Sequence, residues 1–369
     1  TELAVETERT VETESGLVQG MASTVDDSVH VFKGIPFAAP PVGELRWKPP
    51  MPAASWEGVR ICDEFGNNCP QNGRKRPGPL SEDCLYLNVW TPSISAEDRL
   101  PVMVWIHGGG LTQGSAHEPG YMGDQLARHG VVLVSINYRL GPFGFLAHPA
   151  LSAESVHGVS GNYGFLDQIA ALRWVQRNVD VFGGDPDNVT IFGESAGGTS
   201  AYVLTASPMG KGLFQNAILQ SPWLDEAVFA SLSDAEARGE QQVAQVLGED
   251  VTATTMRALS TQAVLENIKK RPPVAIDGRL LPKPPSSIYT NGEQNRVRTI
   301  AGTNRDEGTM FTGRQPYPSV ELFREEMSDR YGEAFDQIKD LYPVESVSDI
   351  RGAVVQQITD SWFVRPTRE

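Results

Sequence analysis

No histidine follows His157 in this chain of 369 residues; the six are His30, His107, His117, His129, His148 and His157. Chemistry in the second half that needs an imidazole must therefore take it from elsewhere. Positive charge is scarce as well. Lys and Arg number 31 against 46 Asp and Glu, a net charge of −15. That balance argues against general binding of a phosphate backbone, which needs a positive face. Apolar runs stay short, and none approaches the ~18 consecutive residues of a membrane-spanning helix. There are three cysteines, Cys62, Cys69 and Cys84, with no CxxC pair and no histidine at ligand spacing. This pattern speaks against a zinc site. Three cysteines permit one disulfide with a thiol left over, or three reduced thiols. The chain starts at Thr1 and not at methionine, the expectation for a removed tag or signal peptide. No repeat, low-complexity tract or linker divides it.

What is present is an alternation of strands and helices. Leu17–Met21 and Val29–Phe32 read as a β-hairpin turning at Asp26-Asp27-Ser28. A Pro-rich irregular stretch follows, from Gly34 to Pro50. The pattern then changes. Val102–Ile106, Val131–Ile136 and Val189–Phe192 are continuous apolar runs, as strands buried on both faces require. Ala217–Leu219 and Thr299–Ala301 are shorter candidates. Asn162 is placed to cap a helix whose apolar face is Phe165, Ile169, Leu172 and Val175. Residues 233–265 and 319–342 are helical in pattern. The expected architecture is α/β: a mostly parallel central sheet, helices on both faces and an N-terminal β-hairpin.

Gly193-Glu194-Ser195-Ala196-Gly197 is a G-x-S-x-G motif. Such a match arises by chance about 0.25 times in a chain this rich in glycine, so its context decides. An apolar run leads into it and a helix from Ser195 to about Ala206 leads out. That strand, sharp turn and helix would expose the Ser195 hydroxyl, and the glycines leave room for the turn. Directly after the Val102–Ile106 run comes His107-Gly108-Gly109-Gly110. Consecutive glycines bring bare N–H groups close to a substrate oxygen, the requirement for holding a tetrahedral oxyanion. A phosphate-binding loop is the rival reading, but the Lys-[ST] of that motif is absent. His107 lies within the loop and reads as structural.

A serine nucleophile needs a base and an orienting carboxylate, in the chain order serine, acid, histidine. Ile300–Gly308 is a short strand ending in a polar loop, where the acid belongs. Position alone leaves Asp306 and Glu307 both open. No histidine fills the third place, because all six precede Ser195.

These residues resemble the type-B carboxylesterases, the cholinesterase-like branch of the α/β-hydrolases. The resemblance rests on Phe32-Lys33-Gly34-Ile35-Pro36 and Ser81-Glu82-Asp83-Cys84-Leu85-Tyr86-Leu87-Asn88. It extends through Asn137-Tyr138-Arg139, Gly161-Asn162-Tyr163-Gly164, Phe192–Gly198 and Asn304-Arg305-Asp306-Glu307-Gly308. It implies a serine carboxylic-ester hydrolase with Ser195 as nucleophile and Glu307 as triad acid. It implies Gly109, Gly110 and Ala196 as oxyanion donors and Glu194 as a second carboxylate beside the nucleophile. Glu194, Leu111 and Trp223 are candidates for the substrate pocket, with Trp223 equally a core tryptophan. It pairs Cys69 with Cys84, which points to a secreted or periplasmic protein, the alternative being a cytoplasmic one. Its partner is a small-molecule ester, and no metal or organic cofactor is implied.

Two departures qualify the resemblance. The family's catalytic histidine would fall beyond Glu369. Residues 1–369 are thus expected to be about three quarters of one α/β-hydrolase domain. A second chain, cleavage or truncation would account for the remainder, histidine included. Cholinesterases also carry a tryptophan ahead of Ser-Glu-Asp-Cys, a cation–π platform for choline. Here that loop is Asn72-Gly73-Arg74-Lys75-Arg76-Pro77-Gly78-Pro79, which argues against choline esters. Its cationic triplet is a solvated basic loop or a preference for anionic esters. Asn188-Val189-Thr190 matches a glycosylation sequon but reads as structural, and Arg139 and Asp185 read as ion-pair partners. A catalytically inactive interaction domain, and amide or carbamate hydrolysis, are the remaining alternatives.

Overall fold

The computed structural model describes residues 9–73, 78–248 and 251–368. Arg74, Lys75 and Arg76 lie outside the described residues. Thr10–Thr13 (β1) and Gly16–Gln19 (β2) form an antiparallel pair. Met21–Ala22 (β3) pairs instead with His30–Pro36 (β4), and β2 runs parallel to Val59–Ile61 (β5). The expected strand Leu17–Met21 is therefore broken at Gly20, where the chain passes from one sheet to the next. A Cβ at Gly20 would lie 2.6 Å from the Val31 carbonyl oxygen. The hairpin is present, with a shorter first strand.

The central sheet adds Tyr86–Thr91 (β6), Leu100–Ile106 (β7), Val132–Ile136 (β8), Gly184–Glu194 (β9) and Asn216–Gln220 (β10). Phe229–Ser231 (β11) and Val274–Ile276 (β12) form a separate parallel pair. Arg298–Gly302 (β13) completes the central order β13-β10-β9-β7-β8-β6-β4-β3. The sheet is mostly parallel, with β7 between β8 and β9. At one flank β6, β4 and β3 join antiparallel. The apolar runs map onto its centre, and Val104, Ile106, Val134 and Ile191 are fully buried. Covered strands have no polar face to show water, so their sequence does not alternate.

Helices surround the sheet: Tyr163–Asn178 (α1), Ala196–Ala206 (α2), Leu232–Leu247 (α3), Ala253–Arg257 (α4) and Thr261–Asn267 (α5). Phe165, Ile169, Leu172 and Val175 are all buried, and each contributes about 1.5–3 kcal/mol by leaving water. Asn162 does not cap α1 as expected. It sits in the left-handed region, φ 57°, and its side chain makes no cap bond. It reaches across to β12 instead. Its Nδ2 donates to the Ala275 carbonyl at 2.8 Å, and its Oδ1 accepts from the Ala275 N–H at 3.0 Å. Asn is among the few residue types besides glycine that adopt this backbone, and here its side chain is held by these distant partners. Replacing Asn162 with alanine is expected to cost about 1–3 kcal/mol in urea unfolding, because two buried Ala275 groups lose their partner. An unchanged midpoint would refute this.

Arg139 and Asp185 both make ion pairs. Asp167 is completely buried and takes Nε and Nη2 of Arg139 at 2.8 and 2.7 Å, and the Arg139 N–H at 3.0 Å. Asp185 pairs with the exposed Arg99 at 2.5 Å. Removing one partner of the buried pair strands the other charge, at about 3–5 kcal/mol, whereas the surface pair is worth about 1 kcal/mol or less. Asn188 lies within β9, half-buried.

The chain divides into two compact units. The first runs to Leu219 and resumes at Ala227–Ile300; it holds most of the sheet and a core that includes Trp90, Trp105, Leu133 and Phe192. The second takes Gln220–Glu226 and the residues from Ala301 onward. Its own core packs Phe323 and Met327 of Val320–Tyr331 (α6) with Ile350 and Val354 of Val347–Ile358 (α7). All of β13, the end strand of the sheet, is exposed. Among the described residues no helix is long and apolar enough to cross a membrane, and no His, Cys, Asp and Glu cluster is placed to hold a metal.

Candidate active site

Strand β9 ends at Glu194 and helix α2 begins at Ala196, leaving Ser195 alone on the turn between them. Its backbone has φ 56° and ψ −120°, a conformation that L-residues rarely adopt and that costs about 1–3 kcal/mol. The neighbouring glycines make this turn possible. A Cβ on Gly193 would lie 2.5 Å from the Ile106 carbonyl oxygen, and one on Gly197 would overlap the same atom. Strand β7, helix α2 and the turn thus approach more closely than any side chain allows. The Ser195 carbonyl is tied into α2 by the Thr199 N–H at 2.9 Å. Ala196 is the first residue of that helix, so its N–H has no partner within the helix and faces outward with the positive end of the dipole.

The glycine loop lies directly against this turn. A Cβ on Gly108 would meet the Glu194 carbonyl oxygen at 2.7 Å and the Ser195 Cβ at 3.3 Å. Gly109 has φ 105° and Gly110 φ 64°, both in the region that favours glycine. The Gly109 carbonyl is held by the Thr112 and Gln113 N–H groups, each at 3.1 Å. Leu111 also sits at positive φ, 61°, and is buried; its carbonyl accepts from the Gly141 N–H at 2.7 Å. Glu194 is half-buried beside Gly108.

His107 has a structural role here. Its ring stacks on Tyr138 at 4.4 Å, and Nδ1 donates to the Gly108 carbonyl at 2.8 Å. Tyr138 O–H donates to the His107 carbonyl at 2.8 Å. Burial pushes the Tyr138 phenol upward, so it stays a donor. Two other histidines are also engaged. His117 contacts Ser115 Oγ through Nδ1 at 3.1 Å, and His148 Nδ1 accepts the Ala150 N–H at 3.0 Å.

One positioning residue escaped the sequence reading. Gln71 bridges to Gly114 at the end of the glycine loop, accepting its N–H and donating to its carbonyl, both at 2.9 Å. It also donates to the Cys69 carbonyl at 3.0 Å. Cys69 is joined to Cys84 by a disulfide. The loop is therefore fastened to a cross-linked segment. The two residues are 43 apart in sequence, and nothing local marks the pair. Cys62 is buried and outside the disulfide; burial pushes its thiol up to about 12, which makes it a poor nucleophile.

Glu307 and Trp223 belong to the second unit. Glu307 is buried whereas Asp306 is exposed. Glu307 Oε1 accepts the Asn304 N–H at 2.7 Å. The adjacent Gly308 N–H donates to Thr359 Oγ1 at 2.9 Å, and Gly308 lies so close to Val355 that no Cβ fits. Trp223 faces Trp362 at 6.2 Å, and Trp362 also contacts Phe311 at 5.4 Å.

A sequence profile described as the carboxylesterase family matches residues 7–364. The chain belongs to the carboxylesterase family. It is 43% identical over 365 residues to a fumonisin B1 esterase from Sphingopyxis macrogoltabida, covering 95% of this chain and 66% of that protein. It is 40% identical over 389 residues to a para-nitrobenzyl esterase from Bacillus subtilis, covering 98% of this chain and 75% of that one. A solved PNB esterase structure superposes with a TM-score of 0.82 at 36% identity, covering 98% of this chain and 76% of its own. The fold is accordingly that of the α/β-hydrolases. The chain thus spans about two thirds to three quarters of these family members. These matches lend no support to a second chain, one of the alternatives the sequence left open beside cleavage and truncation.

Proposed function

We propose that this chain carries the nucleophilic centre of a serine carboxylic-ester hydrolase. The observation that carries this reading is the packing of Gly108 onto Ser195, which sets a loop of bare backbone beside a strained, half-buried serine. Ser195 Oγ bonds to the ester carbonyl carbon and gives its proton to a base. The carbonyl oxygen becomes an oxyanion, held by the N–H groups of Gly109, Gly110 and Ala196; each such donor is worth about 2.7–4 kcal/mol. Collapse expels the alcohol, which takes the proton back, and water then cleaves the acyl-serine by the same route.

Glu307 is the triad acid on this reading, favoured over Asp306 by its burial. The base it orients is a histidine outside these 369 residues, because the histidines are all upstream of Ser195 and His107, His117 and His148 are engaged elsewhere. Residues 1–369 then form most of one α/β-hydrolase domain. Glu194 and Leu111 flank the reacting carbonyl, and Trp223 lines the pocket. The Cys69–Cys84 disulfide supports an exported protein, secreted or periplasmic.

The test is a fluorophosphonate probe followed by peptide mass spectrometry of the full-length protein. Modification should fall on Ser195 and vanish in Ser195→Ala. Labelling at another serine, or none at all, would favour an inactive interaction domain.

A further inference from the structure

A cavity of about 510 Å³ borders the glycine loop at Gly110 and Thr112, and Lys269, Lys270 and Arg271 form part of its wall. Gly110 is two residues from Gly108, the residue packed on Ser195, so this wall starts within ~7 Å of that contact. We propose that the substrates are esters bearing a carboxylate, seated in this cavity against Lys269, Lys270 and Arg271. The proposal rests on the esterase reading of the same site.

Three features support it. First, the cations are adjacent in a chain whose net charge is −15, so their clustering at one cavity runs against the global balance. A concave site with low-dielectric walls focuses such a local field. Second, the segment is anchored. Ile268 before it and Pro272 and Pro273 after it are buried. The Lys270 N–H donates to Gln242 Oε1 at 3.1 Å, and Asn72 Nδ2 donates to the Leu265 carbonyl at 2.8 Å beside the same cavity. Third, Lys269 and Lys270 are exposed, and among the described residues neither enters an ion pair. The nearby acid Glu266 is bonded to Gln262 within its own helix. Pro142 and Ile268 add apolar wall. Apolar walls with a few convergent cations suit an aliphatic arm ending in a carboxylate.

The test compares ethyl hexanoate with monoethyl adipate, which differ in a terminal carboxylate. Hydrolysis by the full-length protein is measured for the wild type and for the triple variant K269Q/K270Q/R271Q. The adipate-to-hexanoate ratio of kcat/KM should fall about tenfold in the variant, with two- to fivefold expected per exposed cation. The hexanoate rate should hold, which reports an intact fold, and K269R/K270R should keep the wild-type ratio. An unchanged ratio with both esters cleaved overturns the anion proposal and leaves the esterase reading standing. If neither ester is cleaved, the esterase reading falls and takes this proposal with it.

Discussion

Replacing Ser195 with alanine is expected to lower kcat for ester hydrolysis by about 10⁵–10⁶-fold in the full-length protein. The size follows from what is lost. Without Oγ no acyl-enzyme forms, and what survives is the contribution of oxyanion donors and substrate binding to direct attack by water. Alanine tolerates φ 56° no better and no worse than serine, so the turn should survive and the loss should be chemical. The second half of the test uses Glu307→Gln. Alone it should cost about 10³–10⁴-fold, and added to Ser195→Ala it should cost almost nothing more, because groups that act as a unit are not additive. Retention of more than about 1% of activity by Ser195→Ala, or independent losses in the double variant, would contradict the proposed roles.

Gly108→Ala should be the most damaging small substitution outside the triad, with kcat down about 10²–10³-fold and KM little changed. The new methyl would lie 2.7 Å from the Glu194 carbonyl and 3.3 Å from the Ser195 Cβ. Neither neighbour is the free end of a flexible side chain, so the loop or the turn must shift. A displacement of about 1 Å at reacting groups costs on the order of 10²-fold. Gly120→Ala is the control. A Cβ there meets nothing within 4 Å, and its activity should stay within about twofold. Equal activity of both variants would mean that the glycine loop does not hold the transition state. A lowered thermal midpoint for Gly108→Ala with full kcat would place its role in stability alone.

Local signals in the chain translated well where burial is symmetric or geometry is extreme. The runs at Val102, Val131 and Val189 became the parallel centre of the sheet because a strand covered on both faces has nothing to alternate with. The Ser195 turn was legible because so few residue types permit it. Misreadings arose where a residue's partner lies far along the chain. Asn162 carries the composition of a helix cap, yet its amide serves Ala275, 113 residues away. The Leu17–Met21 run is apolar enough for one strand, but Gly20 divides it between two sheets. Position alone left Asp306 and Glu307 open and the family resemblance pointed to Glu307; tertiary structure adds that Glu307 is buried and Asp306 exposed.

Composition and pattern alone determined the α/β class, the serine turn with its glycine loop, and the absence of a histidine after Ser195, and the motifs from Phe32 to Gly308 carried the resemblance to the carboxylesterases. These follow from residues within a few positions of one another, or from simple counts. Tertiary structure decided how close the loop comes to the serine, how Gln71 fastens that loop to the disulfide-linked segment, and that Lys269, Lys270 and Arg271 share a cavity with Gly110. Each of these contacts joins segments tens to more than a hundred residues apart. Such distances are closed by hydrophobic collapse of the whole sheet and its helices, and no local propensity encodes them.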